Sequence, residues 1–137
     1  MNASTLSFRA ATIFAVAGIS MGIAMAMMRD HAIMPAHAHL NLLGWVSLFL
    51  FGVYYHLNPG LDSSRLALVQ VSVWCLGTIV LTVAVAALHL GQTQFDSVAA
   101  ISSIVLLADM LLFAALVFRP NLGVNRSGAA PLLTPAE

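Results

Sequence analysis

The chain has 137 residues, 61% of them hydrophobic and 7% charged, and its five arginines balance five acids to a formal net charge of zero. Soluble domains carry roughly 25% charged residues, and a water-soluble fold of this size has no way to hide so much apolar surface, so the bilayer is the expected solvent. With no lysine and no basic block, the composition argues against a nucleic-acid partner.

A membrane helix needs about 20 predominantly apolar residues, and four runs supply them. The first covers residues 10–28 and carries Gly18 and Gly22 as G-x-x-x-G, with Ala11, Ala15 and Ala26 extending the row of small residues. Such a row lets helices approach closely, either within one chain or between copies. Its apolar stretch is longer than the core of an ordinary signal peptide, which disfavours cleavage after it. The break "RDHAIMP" follows, and then a second span over residues 36–57 that opens with "HAHLN". The break "NPGLDSSR" leads to a third span, 66–90, which holds Cys75 and ends at His89. The break "GQTQFD" leads to the fourth, 98–118, with Asp109 near its middle. Pro, Gly, Asn and Asp gather in these breaks, as helix ends require. Residues 120–137 turn polar and rich in Gly and Pro, the composition of a disordered tail after a four-helix domain over residues 1–119. No strand pattern competes, and the expected fold is an all-α membrane bundle of four helices with short connections.

Arginine sets the expected orientation. With the N-terminus inside, Arg9, Arg65, Arg119 and Arg126 fall on the cytoplasmic side and Arg29 alone falls outside. Both termini are therefore expected in the cytoplasm. His31, His37, His39 and His89 then lie toward the outer face, and only His56 lies at the inner end. Cys75 has no partner for a disulfide within the chain, and no C-x-x-C-H is present to attach haem through thioethers.

His37 and His39 are two residues apart. Each helical residue advances about 100°, so their side chains are separated by about 200° around the axis. One helix cannot chelate one metal with such a pair, which would need a spacing of three or four. Either each histidine faces a different cofactor, or one is a ligand and the other is structural. An isolated histidine in the first turn of a membrane helix usually meets headgroups and water. Asn41 weakens that reading here, because it lies one turn deeper on the face of His37 and continues the polar surface inward.

The stretch "HAHLNLLGW", within "MPAHAHLNLLGWVSLFLFGVYYHLNPG", resembles the large catalytic subunit of the haem–copper oxidase and nitric oxide reductase superfamily. The resemblance covers residues 14–59 best, and the last two spans match mainly in hydrophobicity. In that family twelve helices form three pseudo-equivalent groups of four, and an H-x-H motif binds two haems on opposite faces of one helix. The resemblance implies a b-type haem-binding membrane protein of a bacterial inner membrane. It further implies a homotrimer that rebuilds the twelve-helix ring, with a dimer as its rival. His39 of one copy and His37 of the next would ligate one iron, giving a six-coordinate site for electron transfer between partners such as a quinol and a periplasmic carrier. The family's copper site needs three further histidines, including an adjacent pair. This chain has no His-His pair, so copper, full oxygen reduction and proton pumping are not expected.

The remaining candidates follow from that picture. Gly44 and Gly52, eight apart on one face, would make room for a flat macrocycle or, as such glycines more often do, only let helices approach. Arg29 would pair with a haem propionate, or else with Asp30. His89 would serve as an alternative axial ligand, as a propionate partner, or only as an interfacial side chain. If one histidine alone binds iron, the open position suits oxygen or nitric oxide. A different class is a non-haem copper or zinc site built from His37, His39 and His89 of several copies, and a purely structural membrane protein is a third. Asp109 is expected to be structural, bonded to Ser102, Ser103 or a neighbouring helix. Trp45, Trp74, Tyr54 and Tyr55 are expected as packing or interfacial aromatics.

Overall fold

The computed structural model describes residues 1–119, and within them every regular element is helical. The tail over 120–137 lies outside the described residues. Four helices are long and apolar enough to cross a membrane, which is consistent with an integral membrane protein. They are α1 (Ala3–Met28), α2 (Met34–Leu57), α4 (Arg65–His89) and α5 (Asp96–Val117), with a short α3 (Pro59–Asp62) between the second and third.

α1 starts at Ala3, well before the apolar run begins. Its polar first turns are held by a residue from elsewhere in the chain. Pro59 opens α3 with its fixed φ, and the single turn that follows delivers Asp62 to the start of α1. There Asp62 Oδ1 accepts the Ser4 backbone N–H at 2.7 Å, and Oδ2 accepts the Ser4 hydroxyl at 2.9 Å. A carboxylate on the free N–H groups of a helix start is favoured by both hydrogen bonding and the helix dipole. α1 ends with Arg29 in the left-handed region at φ 52°, and the Asp30 N–H returns to the Met25 carbonyl. α4 is capped by Ser64, whose hydroxyl accepts the Ala67 N–H at 3.1 Å.

α2 is not a uniform helix. Over Leu40–Ser47, directly after the two histidines, it widens into a π-helix. Such segments are rare and cost backbone order, so something must compensate. Three side chains donate to backbone carbonyls in or beside the segment: Asn41 Nδ2 to His37 at 2.9 Å, Ser47 Oγ to Leu42 at 2.8 Å, and Trp74 Nε1 to Leu43 at 2.9 Å. Trp74 comes from α4, so tertiary packing helps to fix the irregular turn.

α1 lies along α2, and α5 lies along α4. α4 is the most enclosed of the four. The core runs through Leu48, Phe51 and Tyr55 of α2 and Val71 and Trp74 of α4, closed on the far side by Leu106 and Leu116 of α5. Phe51 meets Trp74 edge-to-face at 5.0 Å and lies tilted against Phe113 at 4.3 Å between ring centres. Ile13, Ile19 and Ile23 of α1, and Ile101, Ile104, Leu107 and Leu111 of α5, face outward, as lipid-facing side chains do.

The seam between α1 and α2 is a reciprocal glycine zipper. A Cβ at Gly18 would meet Asn41 Oδ1 at 2.5 Å, and one at Gly22 would meet His37 Cε1 at 3.1 Å. In the other direction, a Cβ at Gly44 would meet Phe14 Cγ at 2.7 Å, and one at Gly52 would meet Phe8 Cε1 at 2.8 Å. The G-x-x-x-G motif therefore serves packing within the chain rather than between copies.

Candidate functional site

His37 and His39 sit in the regular part of α2, before the π segment, and point to different neighbours as their spacing predicts. His37 is half-buried and turns toward α1, with its ring over Gly22. The amide of Asn41 lies 3.3 Å from each of its ring nitrogens while donating to the His37 carbonyl. Asn41 itself rests on Gly18. His37 and Asn41 thus form one polar unit set into the glycine face of α1.

His39 turns the other way. Its Nδ1 lies 2.7 Å from the Pro35 carbonyl. That oxygen can only accept, so Nδ1 carries the proton and Nε2 of the neutral ring keeps its lone pair. A histidine prepared to bind a metal usually has this arrangement, with the second nitrogen tied to a backbone carbonyl. His39 lines an apolar groove of about 320 Å³ together with Ala38, Leu42, Leu43, Leu81, Ser103 and Leu106, from α2, α4 and α5. Ligand pockets span roughly 300–1,000 Å³, so this one suits part of a macrocycle rather than all of it.

The other expected residues are less committed. His89 is exposed at the same end of the molecule, with its Nδ1 donating to the Val85 carbonyl at 2.9 Å and Nε2 free. Arg29 is exposed at the end of α1, and the neighbouring Asp30 carboxylate accepts the Ala32 N–H rather than turning to it. Gly44 does not open a space for a cofactor within the chain, because Phe14 fills it, and Phe8 does the same at Gly52. Among the described residues no three His, Cys, Asp or Glu side chains gather to hold a metal ion.

A second polar centre lies deeper, and the sequence did not single out its middle member. The Tyr55 hydroxyl donates to Gln70 Oε1 at 2.9 Å, and Gln70 Nε2 donates to Asp109 Oδ2 at 2.9 Å. Tyr55 and Gln70 are 0% exposed and Asp109 is 4% exposed. One chain of donors therefore joins α2, α4 and α5. This selects among the alternatives the sequence left open. Asp109 is bonded to Gln70, while the hydroxyls of Ser102 and Ser103 return to the carbonyls of Val98 and Ala99 on their own helix. Tyr55 packs in the core as one of those alternatives had it, and its buried hydroxyl is in addition a hydrogen-bond donor.

No family model, curated protein or solved structure matches the chain.

Proposed function

We propose that the protein binds a b-type haem in the membrane, with His39 Nε2 as an axial ligand, and carries electrons. The single observation behind this reading is the Nδ1–H bond from His39 to the Pro35 carbonyl, which leaves Nε2 outside that bond in a half-buried ring that lines an apolar groove. The groove lies on the outer surface of one chain between α2 and α5, so a second copy would be needed to enclose the rest of the macrocycle. A cyclic trimer is the proposed assembly, with both termini in the cytoplasm of a bacterial inner membrane. Arg29 and His89, at the same end of the molecule as His39, are the proposed partners for propionates.

In the full form of this reading, His37 of a neighbouring copy is the second axial ligand. The ring is half-buried on Gly22 and must turn off that glycine to reach outward. Bis-histidine iron has no open position and suits electron transfer between a quinol and a periplasmic carrier. The seating of His37 against α1 favours a second reading, in which His39 alone holds the iron and the open position takes oxygen or nitric oxide.

The deciding experiment is an absorption spectrum of detergent-purified protein, oxidised and dithionite-reduced, with and without carbon monoxide. Reduced bands unmoved by carbon monoxide support electron transfer, and a shift supports gas binding. Protein that stays colourless after haem reconstitution overturns both.

A further inference from the structure

The two ends of the bundle differ in charge. Antiparallel packing brings together the start of α1, the end of α2, the start of α4 and the end of α5, as the Ser4–Asp62, Tyr55–Gln70 and Gln70–Asp109 bonds record. Among the described residues this end carries three exposed arginines, Arg9, Arg65 and Arg119. Its one aspartate, Asp62, is buried and gives both carboxylate oxygens to Ser4. Asp109 lies about two turns further in and is buried against Gln70. No exposed acid among the described residues therefore stands against the three cations. The opposite end is balanced the other way, with exposed Arg29 beside exposed Asp30 and Asp96.

Each of these arginines stands over outward apolar surface. Arg9 and Ile13 lie four residues apart on one face of α1, and both are exposed. Arg65 and Val69 repeat the pair on α4, and Arg119 directly follows the exposed Phe118 at the end of α5. Arg9 is about 9 Å into its helix. The turns before it are polar, however, and the continuous apolar run starts at Ala10. Its long stem lets the guanidinium rise to the headgroups while the carbon chain stays against lipid. A phospholipid offers the matching pair of groups, a phosphate above and an acyl chain below. Guanidinium groups bind phosphate with two parallel hydrogen bonds. A zwitterionic headgroup brings its own cation to that phosphate, whereas an anionic headgroup leaves the charge to the protein.

We infer that this end of the bundle is a binding surface for anionic phospholipids of the surrounding leaflet, with Arg9, Arg65 and Arg119 as the phosphate contacts. Burial of Asp62 is part of the device. By capping α1, it removes from the surface the one carboxylate that would otherwise lie three residues from Arg65. The surface serves whether or not a haem is bound.

The test offers the detergent-purified full chain an equimolar mixture of phosphatidylglycerol and phosphatidylcholine with the same acyl chains, and counts retained lipid by native mass spectrometry. The wild type is expected to retain phosphatidylglycerol in preference to phosphatidylcholine. Each of Arg9→Gln, Arg65→Gln and Arg119→Gln should lower that preference about five-fold, the effect of one arginine near an anionic surface. The three changes together should abolish it, while the matching triple change to lysine keeps most of it, because the charge remains. Raising the ionic strength well above physiological should erode the wild-type preference, since these cations are exposed. Equal retention of the two lipids by the wild type overturns the inference, and so does a triple glutamine variant that keeps the wild-type preference. If that variant fails to fold, the single variants and the salt series decide. A preference that neither moves overturns the arginine surface.

Discussion

His39 donates its Nδ1 proton to the carbonyl of Pro35, four residues earlier on the same helix, at 2.7 Å. The bond uses only backbone from Pro35, and the helix start itself fixes that carbonyl. On the proposed haem reading, His39→Ala should abolish haem retention, whereas Pro35→Ala should leave it largely intact. Haem stoichiometry of the purified variants, from the reduced absorption bands, checks both.

His37 gives the sharper contrast. If a neighbour's His37 closes the iron, His37→Ala should leave a haem that now binds carbon monoxide, with a changed spectrum and weaker retention. If His39 acts alone, His37→Ala should leave the haem spectrum unchanged and affect only stability. Carbon monoxide difference spectra of this one variant separate the two readings.

The glycine zipper predicts complementary rescue. Gly44→Ala should destabilise the protein by about 1–3 kcal/mol, because its Cβ would fall 2.7 Å from Phe14 Cγ in a filled interior. In the Phe14→Ala background the same change should cost far less, since the obstructing ring is gone. A double-mutant cycle from detergent unfolding midpoints measures the coupling. Gly60→Ala is the control, with nothing within 4 Å of its Cβ.

Asp62→Ala removes both contacts at the start of α1 and should cost about 0.5–2 kcal/mol, the range for loss of a helix cap. Ser4→Ala removes only the hydroxyl bond and should cost less. Hydrogen exchange should show the loss concentrated in the first turns of α1.

Trp74→Phe keeps an aromatic ring against Phe51 but deletes the donor to Leu43. A loss of about 0.5–1.5 kcal/mol is expected from the bond alone. A larger loss, together with weaker haem retention, would show that the indole also holds the π segment below His39. Thermal unfolding and the absorption spectrum are read on the same sample.

The four spans were legible because hydropathy over some twenty residues is a local property, and so were the opposed directions of His37 and His39, which follow from helix periodicity. The start of α1 was not, since Ser4 looks like tail until Asp62, brought round by α3, caps it. The π segment was equally hidden: "LNLLGWVS" contains no local instruction to widen, and one of its fixing bonds comes from Trp74 on another helix. Gln70 passed as an ordinary residue near the polar start of a span, because its importance lies in joining Tyr55 to Asp109 across three helices. The small residues of α1 and α2 were visible, but sequence could not say whether a glycine waits for a cofactor, another chain or a phenylalanine. Here Phe14 and Phe8 fill two of the four.

That zipper also gives the first two helices a ruler. Phe8, Phe14, Gly18 and Gly22 meet Gly52, Gly44, Asn41 and His37 in strict antiparallel succession. Sliding one helix past the other by a single turn would set side chains against side chains at all four places at once. The hairpin's contacts thus favour one alignment, which the later Trp74 bond to Leu43 reinforces. Because His37 is one of those four contact points, the same alignment fixes where His39, two residues on, stands relative to α1.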